Sequence, residues 1–489
     1  MDLDDKQPDL TTSFVSVLGS RYGSPAMCEA FSDRQTRLSM RKVWCALAFA
    51  QKQAGIVSKD ELEDIIIHSQ KIDIKRSLEI EKDTGHDVVA EIRCYSEQCK
   101  KGGKKIHLGA TSEDILGNAQ VLQQKQALAI IKTRIIDVLA GLGKIIEENA
   151  GKPCMAYTHI QPAEPTTIGY RFSIYAQDLL ADLATIQALE ESLKGKGFKG
   201  AVGTSASYAE VLKGSKLNPG QMEDAAMKQL GLSAFEISTQ TYPRKQDYVL
   251  LCALAQTSQS LAKMALDFRI LQSPLFGELS EPFGKKQVGS SAMPFKRNPI
   301  ASEKICSLSR FVQAMPQTAI ENASNAILER TLDDSANRRI AIPEAFLALD
   351  EMLLTANKIL SGIVINYDKV GKNFLDYSQF SGTEILLAEL ARRGADRQAM
   401  HEVIREACMK AWDAVKQGKP NPLADILRYD ARITKYVKPA DIPGMLDASS
   451  HTGLAKEKVV AMAKKINAIV AAQAKLAAKE ASAKPAAKK

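Results

Sequence analysis

Six histidines and eight cysteines are all the imidazole and thiol that this chain of 489 residues contains. The cysteines, at 28, 45, 94, 99, 154, 252, 306 and 408, are irregularly spaced and form no CxxC pair, which argues against a zinc cluster or a disulfide framework. Buried thiols in a reducing compartment are the expectation. No apolar run reaches the roughly 18 residues of a membrane span. The N-terminus, Met1-Asp2-Leu3-Asp4-Asp5-Lys6, is acidic where a secretory leader would be basic and then apolar. A cytoplasmic protein without a membrane partner is expected. Excess positive charge is also missing from the body of the chain. The net charge is +8, but nine Lys against two Glu lie from His451 onward, so the preceding 450 residues carry only +1. The basicity belongs to a tail, and nucleic acid is not expected as a partner.

Long helical periodicity is what the sequence does have. Ser112 reads as an N-cap with Glu113 and Asp114 in the first turn, and Leu128, Ile131, Ile135, Val138, Leu142 and Ile145 continue one apolar face as far as Gly151. A helix of that length would be about 50 Å long. Similar stripes run from Pro165 to Gly195, from Asp247 to about Ser273, from Pro299 through Pro316, and along Phe346, Leu349, Leu353, Leu360 and Ile363. Spacings of three and four suit near-parallel packing, so the expected fold is mostly α with a central bundle of five long helices. Three domains are expected: an N-terminal helical domain (1–111), the bundle (112–365) and a C-terminal domain of shorter helices (366–489) whose Lys/Ala-rich end frays from about Ala471. Broad apolar faces on such long rods predict an oligomer.

Residues 289–299, Gly-Ser-Ser-Ala-Met-Pro-Phe-Lys-Arg-Asn-Pro, place two hydroxyls, two cations and an amide in one turn before a helix that Pro299 could open. The segment reads as an anion holder, and the Gly/Lys-rich approach from Glu281 as a mobile loop. The GKGFKG run at 195–200 follows a helix rather than a strand and lacks the Gly-Lys-Ser/Thr ending of a phosphate loop, so it reads as an ordinary loop. His159, on a proline-bounded loop after Thr158, and His86, beside Asp87, are acid–base candidates, each also open to a structural reading. His68 and His107 read as packing. Polar clusters stand at Arg21-Tyr22, Thr111-Ser112 and Gln240-Thr241-Tyr242. In Glu329–Arg339, Arg330 and Arg339 could grip an anion, against the alternative of a solvated turn with internal ion pairs.

SSAMPFKRNP after Gly289, together with the five helices, resembles the fumarase/aspartase superfamily. HDVVAE at His86, HLGATS at His107, THIQPAEPTTIG at Thr158 and RTLDDSANRR at Arg330 resemble its adenylosuccinate lyase family, of the animal kind, over nearly the whole chain. The resemblance implies elimination of fumarate from adenylosuccinate and from the succinylcarboxamide ribotide (SAICAR). It further implies Ser290 as general base, Lys296 and Asn298 on the substrate carboxylate, and His159 as general acid with Glu303 as its partner. His86, Asp87, Thr111, Ser112, Thr158 and Gln240 would surround the succinyl group and base, and Arg21, Tyr22, Arg330, Ser335 and Arg339 the phosphate. A homotetramer with active sites shared between subunits is implied, and no metal or organic cofactor. Gly85 departs from the family, where a basic residue often precedes His-Asp. An argininosuccinate lyase or another lyase of the superfamily, or a non-catalytic homologue that keeps the fold, is the alternative.

Overall fold

The computed structural model describes residues 16–284 and 286–483. The stretch 1–20 reads from the sequence as polar and loose, and most of it lies outside the described residues. Its end is helical: α1 (Val17–Arg21) is capped by the Ser16 hydroxyl, and α2 (Pro25–Ala30) by that of Ser24. Then follow α3 (Asp33–Gln53), α4 (Lys59–His68), α5 (Ile74–Thr84) and α6 (Asp87–Gln98). The sequence reads as helical from Ser32 to about Gly55, from about Lys59 and from His86 toward Cys99, so α5 is an addition. It ends at Gly85 in the left-handed conformation (φ 62°), which accounts for a glycine before His86.

The long helices form as their stripes predict. They are α7 (Ser112–Glu148), α8 (Ile168–Ser192), α11 (Lys245–Gln272), α12 (Ile300–Ser324) and α13 (Asp333–Gly362), with short α9 (Ala206–Val211) and α10 (Pro219–Leu230) between α8 and α11. Two starts differ from the sequence reading. Ser112 is the first helical residue rather than the cap; the Asp114 carboxylate accepts from the Thr111 N–H at 3.0 Å and the Asp114 N–H returns to the Thr111 carbonyl. Pro165 is not helical. It lies in a hairpin of β1 (Pro153–Thr158) and β2 (Gln161–Thr167), where Met155 pairs with Pro165 and Tyr157 with Pro162. A two-stranded ribbon leaves an outer edge free of ladder bonds, which tolerates prolines.

Short strands pair locally: β3 (Lys194–Gly195) runs parallel to β4 (Ser233–Ala234), and β5 (Leu279–Ser280) antiparallel to β6 (Val364–Ile365). The C-terminal region is not made only of shorter helices. Its α14 (Tyr367–Arg392) has 26 residues, and α15 (Arg397–Lys416), α16 (Leu423–Arg428), α17 (Ala431–Thr434) and α18 (Ile442–Met445) close a core with it around Leu386, Leu390, Ile404, Leu427 and Ile433. The last helix, α19 (Ala455–Ala483), continues past Ala471, because Ala and Lys are strong helix formers; residues 484–489 lie outside the description.

Packing sorts the chain into two compact units. The first combines Met1–Ile135, Ala181–Leu261 and Ile305–Leu354; the second combines Ile136–Leu180, Ala262–Lys304 and Thr355–Lys489. In the first, Lys132 of α7 meets Glu190 of α8 at 2.6 Å, and the apolar side chains of α13 from Ala345 to Leu349 are fully buried. In the second, Phe172 of α8 packs on Phe268 of α11, and Gly141 of α7 lets Leu360 of α13 approach closely. By length and composition α11 could cross a membrane, but 56% of its most apolar window is buried within the protein, as in a core helix. All eight cysteines are free, five of them buried.

Candidate active site

The first unit brings together motifs far apart in sequence. Asp87, at the first position of α6, accepts from Arg339 Nη2 at 2.9 Å, and His86 Nδ1 lies 3.4 Å from its other oxygen. Burial pushes the Asp87 carboxyl up, but the Arg339 guanidinium and the Val88 N–H outweigh it and hold the group below the ordinary carboxylate value. The Gln240 N–H donates to the Glu329 carbonyl at 3.1 Å, which joins the Gln240 turn to the arginine-rich linker. Arg330 donates to Asp334 at 2.9 Å and lies 3.6 Å from Glu113, one residue past Ser112. Arg21 and Tyr22 are fixed through their successors: the N–H groups of Gly23 and Ser24 donate to Glu351 and Asp350 on α13.

A cavity of about 550 Å³ has Asp87, Glu113, Arg244, Arg330, Ser335 and Arg339 in its wall; Arg21, Tyr22, His86, Thr111, Ser112 and Gln240 do not line it. Glu113, Arg244 and Gln124, also in the wall, each keep one buried polar atom without a hydrogen-bond partner among the described residues. Such atoms suit ordered water or a polar ligand. The two readings of the arginine-rich linker therefore divide between neighbours. Arg339 is exposed and pairs with Asp87 among the described residues, whereas Arg330 is less exposed and pairs with Asp334 and Glu113.

Sequence reasoning missed the scaffold beneath. Arg338, one position before Arg339, is buried and donates to Asp247 at 2.8 Å, Tyr242 Oη at 2.7 Å and Gln120 at 3.0 Å. Burial pushes the Tyr242 phenol up to about 12, so it stays neutral. Arg244 joins Asp334 at 2.6 Å and stacks over the Tyr242 ring. GKGFKG is a loop, as expected, and it wraps a carboxylate of its own chain. The fully buried Asp114 accepts from Lys196 Nζ, from the N–H groups of Lys199 and Gly200 at 3.2 Å, and from Tyr208 Oη at 3.0 Å. No sequence signal distinguishes an internal anion from a bound one.

The second unit carries His159 and Ser290, the residues that the resemblance implies as acid and base. His159 and Ile160 are the two-residue turn of the β1–β2 hairpin, both left-handed (φ 53° and 61°). Such turns ordinarily use Asn-Gly, and a β-branched Ile at positive φ is strained by about 1–3 kcal/mol. Strain of this kind concentrates at functional sites. The hairpin stands on buried Glu278, which accepts from Tyr157 Oη at 3.2 Å, Arg171 Nη1 at 2.6 Å and Asn373 Nδ2 at 3.0 Å. His159 itself is exposed and makes no hydrogen bond or ion pair among the described residues.

In the serine segment the Ser290 hydroxyl accepts from the N–H groups of Met293 at 3.1 Å and Ala292 at 3.4 Å. Donors aimed at an oxygen stabilise negative charge on it. The segment closes on itself where Asn298 Nδ2 donates to the Gly289 carbonyl at 3.1 Å. Gly289 is required there, since a Cβ would stand 2.1 Å from the Lys296 carbonyl. Lys296 is exposed. The start of α12 is capped from within the chain: Glu281 accepts from the N–H groups of Ala301 at 3.1 Å and Ser302 at 2.6 Å. Glu303, one residue on, faces Arg269 at 4.0 Å. The expected pairing of Glu303 with His159 is not made within this chain.

Residues 21–314 match the profile described as Lyase, and residues 380–462 that described as Adenylosuccinate lyase C-terminus. The adenylosuccinate lyase of Saccharomyces cerevisiae is 34% identical over 455 residues, covering 91% of this chain and 93% of its own. The chain belongs to the adenylosuccinate lyase family. That of Schistosoma mansoni is 35% identical over 453 residues (91% and 93% covered), and that of Pyrococcus horikoshii 34% over 448 (91% and 96%), so a fungus, a flatworm and an archaeon share the family pattern about equally with it. The fold reaches further. A fumarate lyase from Mesorhizobium superposes with a TM-score of 0.79 at 24% identity (90% of this chain, 98% of that one). A 3-carboxy-cis,cis-muconate lactonizing enzyme from Pseudomonas putida also gives 0.79, at 23% (92% and 98%).

Proposed function

We propose that this member of the family eliminates fumarate from adenylosuccinate, leaving AMP, and from SAICAR, leaving AICAR. The observation that carries the reading is the Ser290 segment, a hydroxyl held under two N–H donors with Asn298 folded back onto the Gly289 carbonyl beside it. Elimination needs a base for the proton beside a carboxylate, fixed charge for the resulting aci-carboxylate, and an acid for the departing nitrogen. Ser290 takes the proton, Lys296 and the unused N–H of Asn298 bind the carboxylate, and His159 protonates the nitrogen. Arg339, with Arg330, Ser335, Arg21 and Tyr22, holds the phosphate. His86, Asp87, Thr111, Ser112, Thr158 and Gln240 surround the rest of the substrate.

His159 and Glu303 lack each other within one chain, which favours sites completed by neighbouring subunits of a homotetramer. Exposed Ile174, Leu266, Ile300, Phe311 and Ile320 on the long helices supply apolar surface for that assembly. By sequence order we divide the chain at 111/112 and 365/366, the long helices of the bundle falling between. Eight free thiols suit a cytoplasmic setting.

The test is an absorbance assay of adenylosuccinate cleavage by the purified protein. Ser290→Ala and His159→Ala should each lower kcat by about 10²–10⁴-fold, the range of general acid–base contributions. If the wild-type protein leaves adenylosuccinate intact, the activity is wrong. If only Ser290→Ala keeps full turnover, the base is misassigned.

A further inference from the structure

We propose that Gln272 is a positioning residue for the elimination, acting by tying both ends of the Ser290 segment to the end of α11. The inference rests on the reaction proposed above. Gln272 is the last residue of α11, and its amide is used at both atoms: Oε1 accepts from the Glu281 N–H at 2.8 Å, and Nε2 donates to the Arg297 carbonyl at 3.1 Å. Only one orientation of a carboxamide satisfies an N–H and a carbonyl together, so the contact fixes the amide as well as the chain.

The two tethered peptides bracket the chemistry. The Arg297 carbonyl lies between Lys296 and Asn298, and Asn298 in turn holds the Gly289 carbonyl next to Ser290. Glu281, whose N–H Gln272 receives, caps the first turn of α12 through Ala301 and Ser302. A line of single hydrogen bonds thus runs from the end of α11 to the base: Gln272 to Arg297, Asn298 to Gly289, then Ser290. Gln272 stands 17 or more residues from the serine segment in sequence, and nothing local to that motif marks it.

Gln272→Glu tests the double contact with little change of shape. A carboxylate still accepts from Glu281 but offers no donor to Arg297, and places an oxygen against that carbonyl. Gln272→Ala removes both bonds. Each variant is expected to lower kcat about tenfold, the effect of one or two neutral hydrogen bonds, with KM within about twofold. Trypsin should also cut faster after Lys286, Lys296 and Arg297, at a melting temperature unchanged from wild type. A merely structural role would lower the melting temperature and the active fraction together. Wild-type kcat and wild-type cleavage rate in Gln272→Glu, or a loss of kcat matched by the loss of folded protein, would overturn the proposal. If the wild-type protein does not cleave adenylosuccinate, the reaction fails as a reading. The trypsin comparison then decides the tether alone, equal rates rejecting it.

Discussion

His107 makes the fold sensitive to acid in a way that can be calculated. Its Nδ1 accepts the Trp44 indole N–H at 3.1 Å, so in the folded chain the proton sits on Nε2 and the ring is neutral. Charging it would set an N–H against an N–H. Burial moves the group from its ordinary 6.5 down to about 4, the nearby Asp114 opposing and His86 adding to the shift. Because the folded pKa lies below the unfolded one, the unfolded chain takes up the proton first as pH falls, and stability is lost from about 6.5 down to about 4. At 1.36 kcal/mol per unit the full shift would be worth about 3 kcal/mol, of which about 2 kcal/mol is lost between pH 7 and pH 5. His107→Asn removes the titration while keeping an acceptor for Trp44 and tolerating the left-handed backbone at 107 (φ 68°). Guanidinium unfolding of both proteins at the two pH values reads the difference. The variant should lose about 2 kcal/mol less than wild type between pH 7 and pH 5. Equal losses in the two proteins would refute the assignment.

Asp114→Asn should destabilise the chain by about 3–5 kcal/mol by stranding the buried Lys196, and Lys196→Met added to it should restore much of that loss in denaturation experiments. Neighbouring arginines should separate cleanly. Arg338→Met breaks a buried pair with Asp247 and should cost several kcal/mol of stability, whereas Arg339→Met loses an exposed pair worth no more than about 1 kcal/mol and should instead raise KM for adenylosuccinate. Gly289→Ala should leave the melting temperature unchanged and lower kcat, since the new methyl forces the Lys296 carbonyl away and moves the turn that holds Ser290; normal turnover would show that this turn does not position the base.

The sequence by itself determined the long helices, because a three-four stripe over 25 to 37 residues has no competing interpretation. It also determined the family, since several dense motifs occur in order. It could not separate Arg338 from Arg339. Adjacent positions on a helix point about 100° apart, and only the packing of α13 beside Asp247 and Tyr242 decides which guanidinium is buried and which is exposed. Likewise the run around His159 gave no hairpin signal, because its turn lacks the residues that a turn with two positive φ values prefers; pairing of Tyr157 with Pro162 above Glu278 imposes the conformation. The N–H groups at the start of α12 are taken by the chain's own Glu281, and those of GKGFKG by its own Asp114. A backbone N–H binds any carboxylate that reaches it, so whether a ligand or the chain supplies that carboxylate depends on distances that only the tertiary structure sets.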